Sequence, residues 1–210
     1  VPCNGRFPTL ILLSGFFFAG GNPVAAGGFV FLLIVLAVSI TLLASFLLSK
    51  TILRGVPSAF VLELPPYRRP KLGEVIVRSM LDRTIFVLAR AVTVAIPAGA
   101  VIWLCQNIMV NGHTLLYGMA TVLEPLGACM GLSGVILMAF LLGIPANEIV
   151  IPILLMVYSQ SGTLVEAEGI AQAGAILAAN GWTWVTAVCV ILFSLNHFPC
   201  ATTLLTIRKE

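Results

Sequence analysis

What this sequence has least of is charge. Asp, Glu, Lys and Arg together make up 9% of its 210 residues, where a soluble domain carries about 25%. With 60% of its residues hydrophobic and a mean hydropathy of +1.10, so short a chain could not bury its apolar surface against itself. A soluble globular protein is therefore excluded. Cysteine is sparse too. The five, at positions 3, 105, 129, 189 and 200, form neither a CxxC pair nor a regular framework, which excludes a zinc ribbon and a disulfide scaffold. No GxxxxGK[ST] loop occurs, and without that phosphate cradle a P-loop nucleotide site is excluded. The net charge of +3 is too small and too local for a nucleic-acid partner. Neither a basic n-region nor a small-residue cleavage site precedes the first apolar run, so no signal peptide is visible. Val1 opens directly on a motif and Glu210 closes after a basic pair, so the chain is expected to be a fragment of a larger protein.

What is abundant is uninterrupted apolar sequence. Runs free of Asp, Glu, Lys and Arg extend from Phe7 to Ser49, Ala91 to Leu123, Pro125 to Asn147, Ile149 to Val165 and Gly169 to Ile207. A helix crosses a bilayer in about 20 residues, so most of these runs are long enough. The expected fold class is all-α: a polytopic transmembrane helical bundle with broken or re-entrant helices, set in a lipid bilayer.

Val24 to Ser49 is the clearest span, 26 residues without charge. The polar stretch that follows, from Lys50 to Arg83, holds seven of the eleven Lys and Arg residues, and by the positive-inside rule it faces the cytoplasm. Its centre, LELPPYRRP, is too proline-rich for a helix. From Gly73 to Arg83 the spacing of Glu74, Arg78 and Asp82 predicts a short amphipathic helix with i,i+4 pairs, its Ile76, Val77 and Met80 on the membrane surface. A second span is expected from Thr84 to Asn107, kinked at Pro97 and Gly99. Leu115 to Met130, with Glu124-Pro125, reads either as a short span or as an interfacial helix. Ser133 to Tyr158 is long enough to cross, but GIPANE at residues 143–148 interrupts it, and backbone freed at membrane depth must be covered by protein or a water-filled cavity. Gln160 to Asn180 carries Glu166 and Glu168 without Lys or Arg and is placed outside. The last span runs from Trp182 to Thr206 and ends inside at Arg208 and Lys209. Parity then requires that Leu115 to Met130 cross or that the broken segment re-enter.

Two further stretches set Pro-Cys beside apolar sequence: VPCNGRFPTLI at residues 1–11 and FSLNHFPCATTLLTI at residues 193–207. Aligning Pro2-Cys3 with Pro199-Cys200 also pairs Thr9 with Thr206, a short internal echo of the kind that transporter repeats leave. In order and spacing, VPCNGRFPTLI, LELPPYRRPKLGEVIVRS, GIPANEIVIPI and FPCATTLLTIRKE closely resemble the membrane portion of the FeoB family, the bacterial ferrous iron transporters. The resemblance makes the cysteine-bearing ends two Gate motifs. It implies a first Gate-type membrane segment at 1–49, a cytoplasmic basic loop with an amphipathic helix at 50–84, and FeoB C-terminal-like helices with a second Gate-type segment at 85–210. It also implies a multi-pass protein of the bacterial cytoplasmic membrane that imports Fe(II). GTP would act only through a cytosolic GTP-binding domain of the same protein, which this chain lacks, so the chain by itself is not expected to be an enzyme. A homo-oligomer is compatible with this reading; a nucleic-acid partner is not.

Fe(II) accepts imidazole, carboxylate and thiolate, and a pathway must replace its water with ligands that bind and then release it. The resemblance puts Cys3 and Cys200 first as metal-binding gate thiols, then Glu148, then His197, with Asn147, Thr202 and Thr203 as secondary oxygen donors. Plainer roles stand beside these. A free cysteine packs as a small hydrophobe, the reading kept for Cys105, Cys129 and Cys189. Glu148 can cap the half-helix that starts after Pro145, and His197 can satisfy a helix–helix hydrogen bond. His113 is expected in a solvated turn, Glu124 at the interface, and Arg6 against a segment outside the chain or the inner headgroups. Two other functions compete. A carrier of a small polar solute such as a nucleoside needs amides and aromatics at one depth, for which Asn147 and Asn196 are the candidates. An intramembrane thiol enzyme using His197 and Cys200 needs an oxyanion hole, and none is visible.

Overall fold

The computed structural model describes residues 3–52, 71–110, 112–161, 164 and 169–208. The proline-rich centre of the basic loop, Glu166, Glu168 and Lys209 lie outside these residues, as do the side chains of Asp82, Arg83, Arg90 and Thr206. Ten α-helices are described: α1 (Phe7–Leu13), α2 (Pro23–Thr51), α3 (Leu72–Arg78), α4 (Phe86–Asn107), α5 (Leu115–Cys129), α6 (Gly134–Leu142), α7 (Val150–Tyr158), α8 (Ile170–Ala179), α9 (Trp184–Asn196) and α10 (Ala201–Ile207). A two-residue antiparallel ribbon, Met109–Val110 with His113–Thr114, is the turn between α4 and α5. Among the described residues, three helical stretches are long and apolar enough to cross a membrane: Pro23–Thr51, Gly73–Asn107 and Trp184–Leu205.

The long helices start where local chemistry predicts. Gly20 and Gly21 turn the chain at φ of 55° and 87°, values that cost other residues dearly. The Asn22 side chain then accepts the Val24 and Ala25 amide hydrogens, with Pro23 in the first turn. Thr114, Ser133 and Thr183 cap α5, α6 and α9 in the same way. At 1.5 Å per residue, the 29 residues of α2 reach about 43 Å, enough to span hydrocarbon with a tilt. Only Leu33 and Ala37 of α2 are buried; Phe31, Leu32, Leu42 and Phe46 face outward, as a lipid-facing helix requires. The protein core is elsewhere. In α7, Val150, Ile151 and the run Ile153–Met156 are buried on all sides, the mark of a central helix. It is enclosed by residues such as Leu10 and Leu13 of α1, Met138 of α6, Leu177 of α8 and Val190 of α9.

Several stretches that the sequence left open or placed differently are decided in the folded chain. The stretch expected as a surface helix, Gly73 to Arg83, runs through a π-helical turn at Ser79–Ile85 straight into α4 and past Pro97 without a break. There Glu74 pairs with Lys71, at 3.7 Å and well exposed, an interaction worth little. Ser133 to Tyr158 does not cross as one span. It is divided at Gly143–Ala146 into α6 and α7, each 9 residues and about 14 Å long. Ser133 and Tyr158 line one cavity of about 240 Å³ together with Trp182, so the segment enters and leaves on the same side of the bundle. It re-enters. Leu115 to Met130 meets α6 at 109°, in contact so close that a Cβ on Gly134 would collide with the Ala120 carbonyl oxygen and one on Gly127 would lie 2.7 Å from that of Leu132. Finally, the part of Gln160 to Asn180 that forms α8 is packed in the bundle, with Ala173 and Leu177 buried, because Gly174 leaves room for the Phe16 ring. At the N-terminal end, α1 and a π-helical turn, Ser14–Phe18, end at the Gly20–Gly21 reversal.

Candidate functional site

Each proline break leaves backbone groups to be satisfied, and the breaks satisfy one another. Pro199 has no N–H, so the Leu195 carbonyl, four residues earlier, loses its helical donor. Helix α9 accordingly ends at Asn196 and the chain is extended at His197. The re-entrant segment ends α6 at Leu142 and resumes in a 3₁₀ turn, Asn147–Ile149, before α7. Between them the Ala201 amide donates to the Ile144 carbonyl at 2.8 Å, joining the start of α10 to the middle of GIPANE. Freed backbone at membrane depth is covered here by other freed backbone.

The N-terminal Pro-Cys element docks on the same place. Cys3 precedes a 3₁₀ turn, Asn4–Arg6, and its Sγ accepts from Asn147 Nδ2 at 3.6 Å. Gly5 lies against Glu148 so closely that a Cβ there would sit 2.8 Å from the glutamate Cγ. Asn147 is buried at 6% exposure, and its Oδ1 has no hydrogen-bond partner among the described residues. A buried acceptor left free beside a thiol is costly unless something else uses it. Glu148 is exposed and stands in the first turn leading to α7, but no side-chain cap bond forms there. The carboxylate that caps a half-helix is Glu124, whose Oε2 accepts the Gly134 amide hydrogen at 2.6 Å at the start of α6. Across the contact, Cys200 Sγ lies 3.0 Å from Thr202 Oγ1 and 3.3 Å from Thr203 Oγ1.

The structure thus brings Cys3, Asn147 and Glu148 together at one break and Cys200, Thr202 and Thr203 together at the other. His197 is placed differently. It is 9% exposed, with its ring packed among Phe140, Phe193 and Phe198. Its Nδ1 lies 3.3 Å from Arg6 Nη2. A guanidinium only donates, so Nδ1 accepts, and the assigned tautomer carries its proton on Nε2, buried without a partner among the described residues. The His197 nitrogen facing Arg6 is therefore engaged, and Cys200 is bonded to threonines, not to His197. Among the described residues, no group of three or more His, Cys, Asp and Glu side chains is close enough to hold a metal ion.

Arg6 is the residue that sequence reasoning misplaced. It is buried at 7% exposure and donates to the Leu195, His197 and Phe198 carbonyls at 3.3, 2.7 and 3.0 Å. These partners lie within the chain itself. The signal was present: a lone Arg in apolar sequence needs an acceptor, and Pro199 leaves one open at Leu195. A second cavity, about 560 Å³, opens on the side where Ser133 and Tyr158 meet, lined by Gln106, His113, Tyr117, Tyr158, Gln160 and Asn180 among others. His113 is exposed there, as expected of a turn residue.

Residues 88–210 match the family described as Gate, nucleoside recognition, and residues 30–83 match that described as ferrous iron transport protein B C terminus. The chain belongs to the membrane portion of the FeoB family. It is 28% identical over 221 residues to the Fe(2+) transporter FeoB of Staphylococcus aureus (strain COL), covering 99% of this chain and 30% of that protein. It is 27% identical to FeoB of Methanocaldococcus jannaschii, covering 99% and 31%, and 25% identical to that of Campylobacter jejuni subsp. jejuni, covering 99% and 35%. This FeoB-type chain spans about a third of the length of the curated relatives it matches. No solved structure is significantly similar to it. The Gate match takes in both GIPANE and the His197–Cys200 break, the two sites that lock together.

Proposed function

We propose that this chain forms the Fe(II)-permeation part of a GTP-regulated importer in the bacterial cytoplasmic membrane. The observation that carries the reading is the meeting of three interrupted segments, bearing Cys3, Asn147, Glu148, Cys200, Thr202 and Thr203, around one interlocked break. Thiol, carboxylate, amide and hydroxyl donors suit a borderline cation passing through lipid. In this reading Cys3 and Cys200 are the first ligands and Glu148 supplies the charge. The threonines and Asn147 replace water, and the separate ligand groups close on the ion only as it passes. His197 joins them when its nitrogen is released. Residues 1–49 and 85–210 then act as the two gate-bearing membrane parts. The basic loop at 50–84 faces the cytoplasm and docks a GTP-binding domain supplied by the longer protein. This chain performs no nucleotide chemistry of its own, and assembly into a homo-oligomer belongs to the proposal.

The test is Fe(II) flux into proteoliposomes carrying the full-length protein. Cys200→Ser and Glu148→Ala should each lower flux by about tenfold or more, the effect of about 1.4 kcal/mol. Cys189→Ser, away from the break, should leave flux unchanged. Equal flux from all three variants would remove the pathway.

A further inference from the structure

The cradle around Arg6 has the composition of a cation site, and the guanidinium fits it poorly. Leu195, His197 and Phe198 turn three carbonyl oxygens toward one side chain, and His197 adds a ring nitrogen. Three of these four acceptors converge on a single atom: Nη2 lies 2.7 Å from the His197 oxygen, 3.0 Å from the Phe198 oxygen and 3.3 Å from Nδ1. A guanidinium Nη carries only two hydrogens, so acceptors outnumber donors at that point. On the same side chain the buried Nε hydrogen has no partner among the described residues. Arg6 is thus over-supplied at one end and unserved at the other. A spherical cation takes ligands from any direction and meets neither difficulty.

The ligands have the right character. Imidazole and oxygen suit a borderline divalent ion, and carbonyls at the end of a half-helix carry the negative pole of its dipole. Phe140, Phe193 and Phe198 ring His197 at centroid distances of 5.2, 5.6 and 4.0 Å, which excludes water and strengthens each dipole. No carboxylate contacts the guanidinium among the described residues, so a dication there is held by dipoles alone, weakly enough to leave.

We propose that the Leu195, His197 and Phe198 carbonyls, with His197 Nδ1, form a divalent-cation site whose resident cation in this conformation is Arg6. The guanidinium withdraws before the ion enters, and its return displaces the ion. Arg6 is then both the bolt that joins the two breaks and the competitor that empties the site. As a step in Fe(II) passage the site rests on the permeation reading above; as a metal site it is measurable by itself.

The test uses the full-length protein in lipid nanodiscs with Co(II) as the probe, read by equilibrium dialysis and by the visible spectrum. Arg6→Met keeps an unbranched stem and removes the guanidinium. It should bind one more Co(II) per chain than the unchanged protein, with nitrogen–oxygen bands and no thiolate charge-transfer band. Arg6→Met combined with His197→Phe should lose that ion again. Equal stoichiometry in Arg6→Met and the unchanged protein overturns the proposal, and so does an extra ion that survives His197→Phe. Should Arg6→Met fail to fold, Arg6→Gly assembled in millimolar guanidinium chloride supplies the cation separately. Free guanidinium and Co(II) should then compete, and independent binding of the two overturns the proposal. Fe(II) flux through the unchanged protein is measured alongside. Its absence removes the transport reading, whereas the extra Co(II) site stands or falls on the stoichiometry.

Discussion

Gly5 is the most direct probe of whether the N-terminal cysteine element is seated on the re-entrant break. A Cβ added there would sit 2.8 Å from Glu148 Cγ, 3.4 Å from Oε1 and 3.5 Å from the Glu148 backbone nitrogen. The first distance is inside van der Waals contact, so Gly5→Ala must move something. Turning the Glu148 side chain off its rotamer costs about 0.5–1.5 kcal/mol. Shifting the Asn4–Arg6 turn instead would strain the Cys3–Asn147 contact and the Arg6 hydrogen bonds together, toward the upper part of the 1–3 kcal/mol typical of overpacking. The expected loss is therefore about 1–2 kcal/mol. The clash belongs to one pair, so it can be isolated. Glu148→Ala removes Cγ, and in the double variant the added methyl is left in ordinary van der Waals contact, 3.5 Å from the backbone nitrogen of residue 148. Equilibrium unfolding of the full-length protein in mixed micelles, on Gly5→Ala, Glu148→Ala and both together, should give a coupling energy of about 1–2 kcal/mol, the size found for contacting residues. Gly27→Ala serves as the reference, because nothing lies within 4 Å of its added Cβ. In the interior of α2 it should stabilise by about 0.5–1 kcal/mol. If Gly5→Ala and Glu148→Ala add within about 0.5 kcal/mol, the two segments are not in contact and the N-terminal cysteine element is not seated on the break.

Two further outcomes follow from the α5–α6 hairpin. Gly134→Ala drives a methyl group into the Ala120 carbonyl oxygen, with Glu124 close by. Backbone cannot yield as a flexible side-chain end does, so a loss of about 3 kcal/mol or more is expected, seen as absent monodisperse protein on size exclusion. Glu124→Ala removes the charge-assisted acceptor of the Gly134 amide and should cost about 1.5–3 kcal/mol. Glu124→Gln, which keeps an acceptor oxygen, should cost about half of that, measured by the same unfolding assay; equal losses would show that charge plays no part.

Much of this protein is decided within short stretches of sequence, because lipid imposes a local rule. A charge-free run of bilayer length must be helical to satisfy its own backbone, so α2 and the helices of the last span follow from composition. GIPANE and HFPC mark their breaks because Pro145 and Pro199 remove donors wherever they sit. Donor chemistry also pointed to Cys3, Cys200, Glu148 and His197; Cys3 and Glu148 stand at one break and Cys200 at the other, while His197 faces Arg6. What tertiary structure alone decided is where freed groups find partners. Arg6 reaches carbonyls nearly the whole chain away, and Ala201 pairs with Ile144; no window of neighbouring residues contains both halves of either bond. The close packing of α6 on α5, and the seating of α8 against Phe16, likewise depend on glycine clearances at 134 and 174, and a clearance exists only between surfaces already brought together.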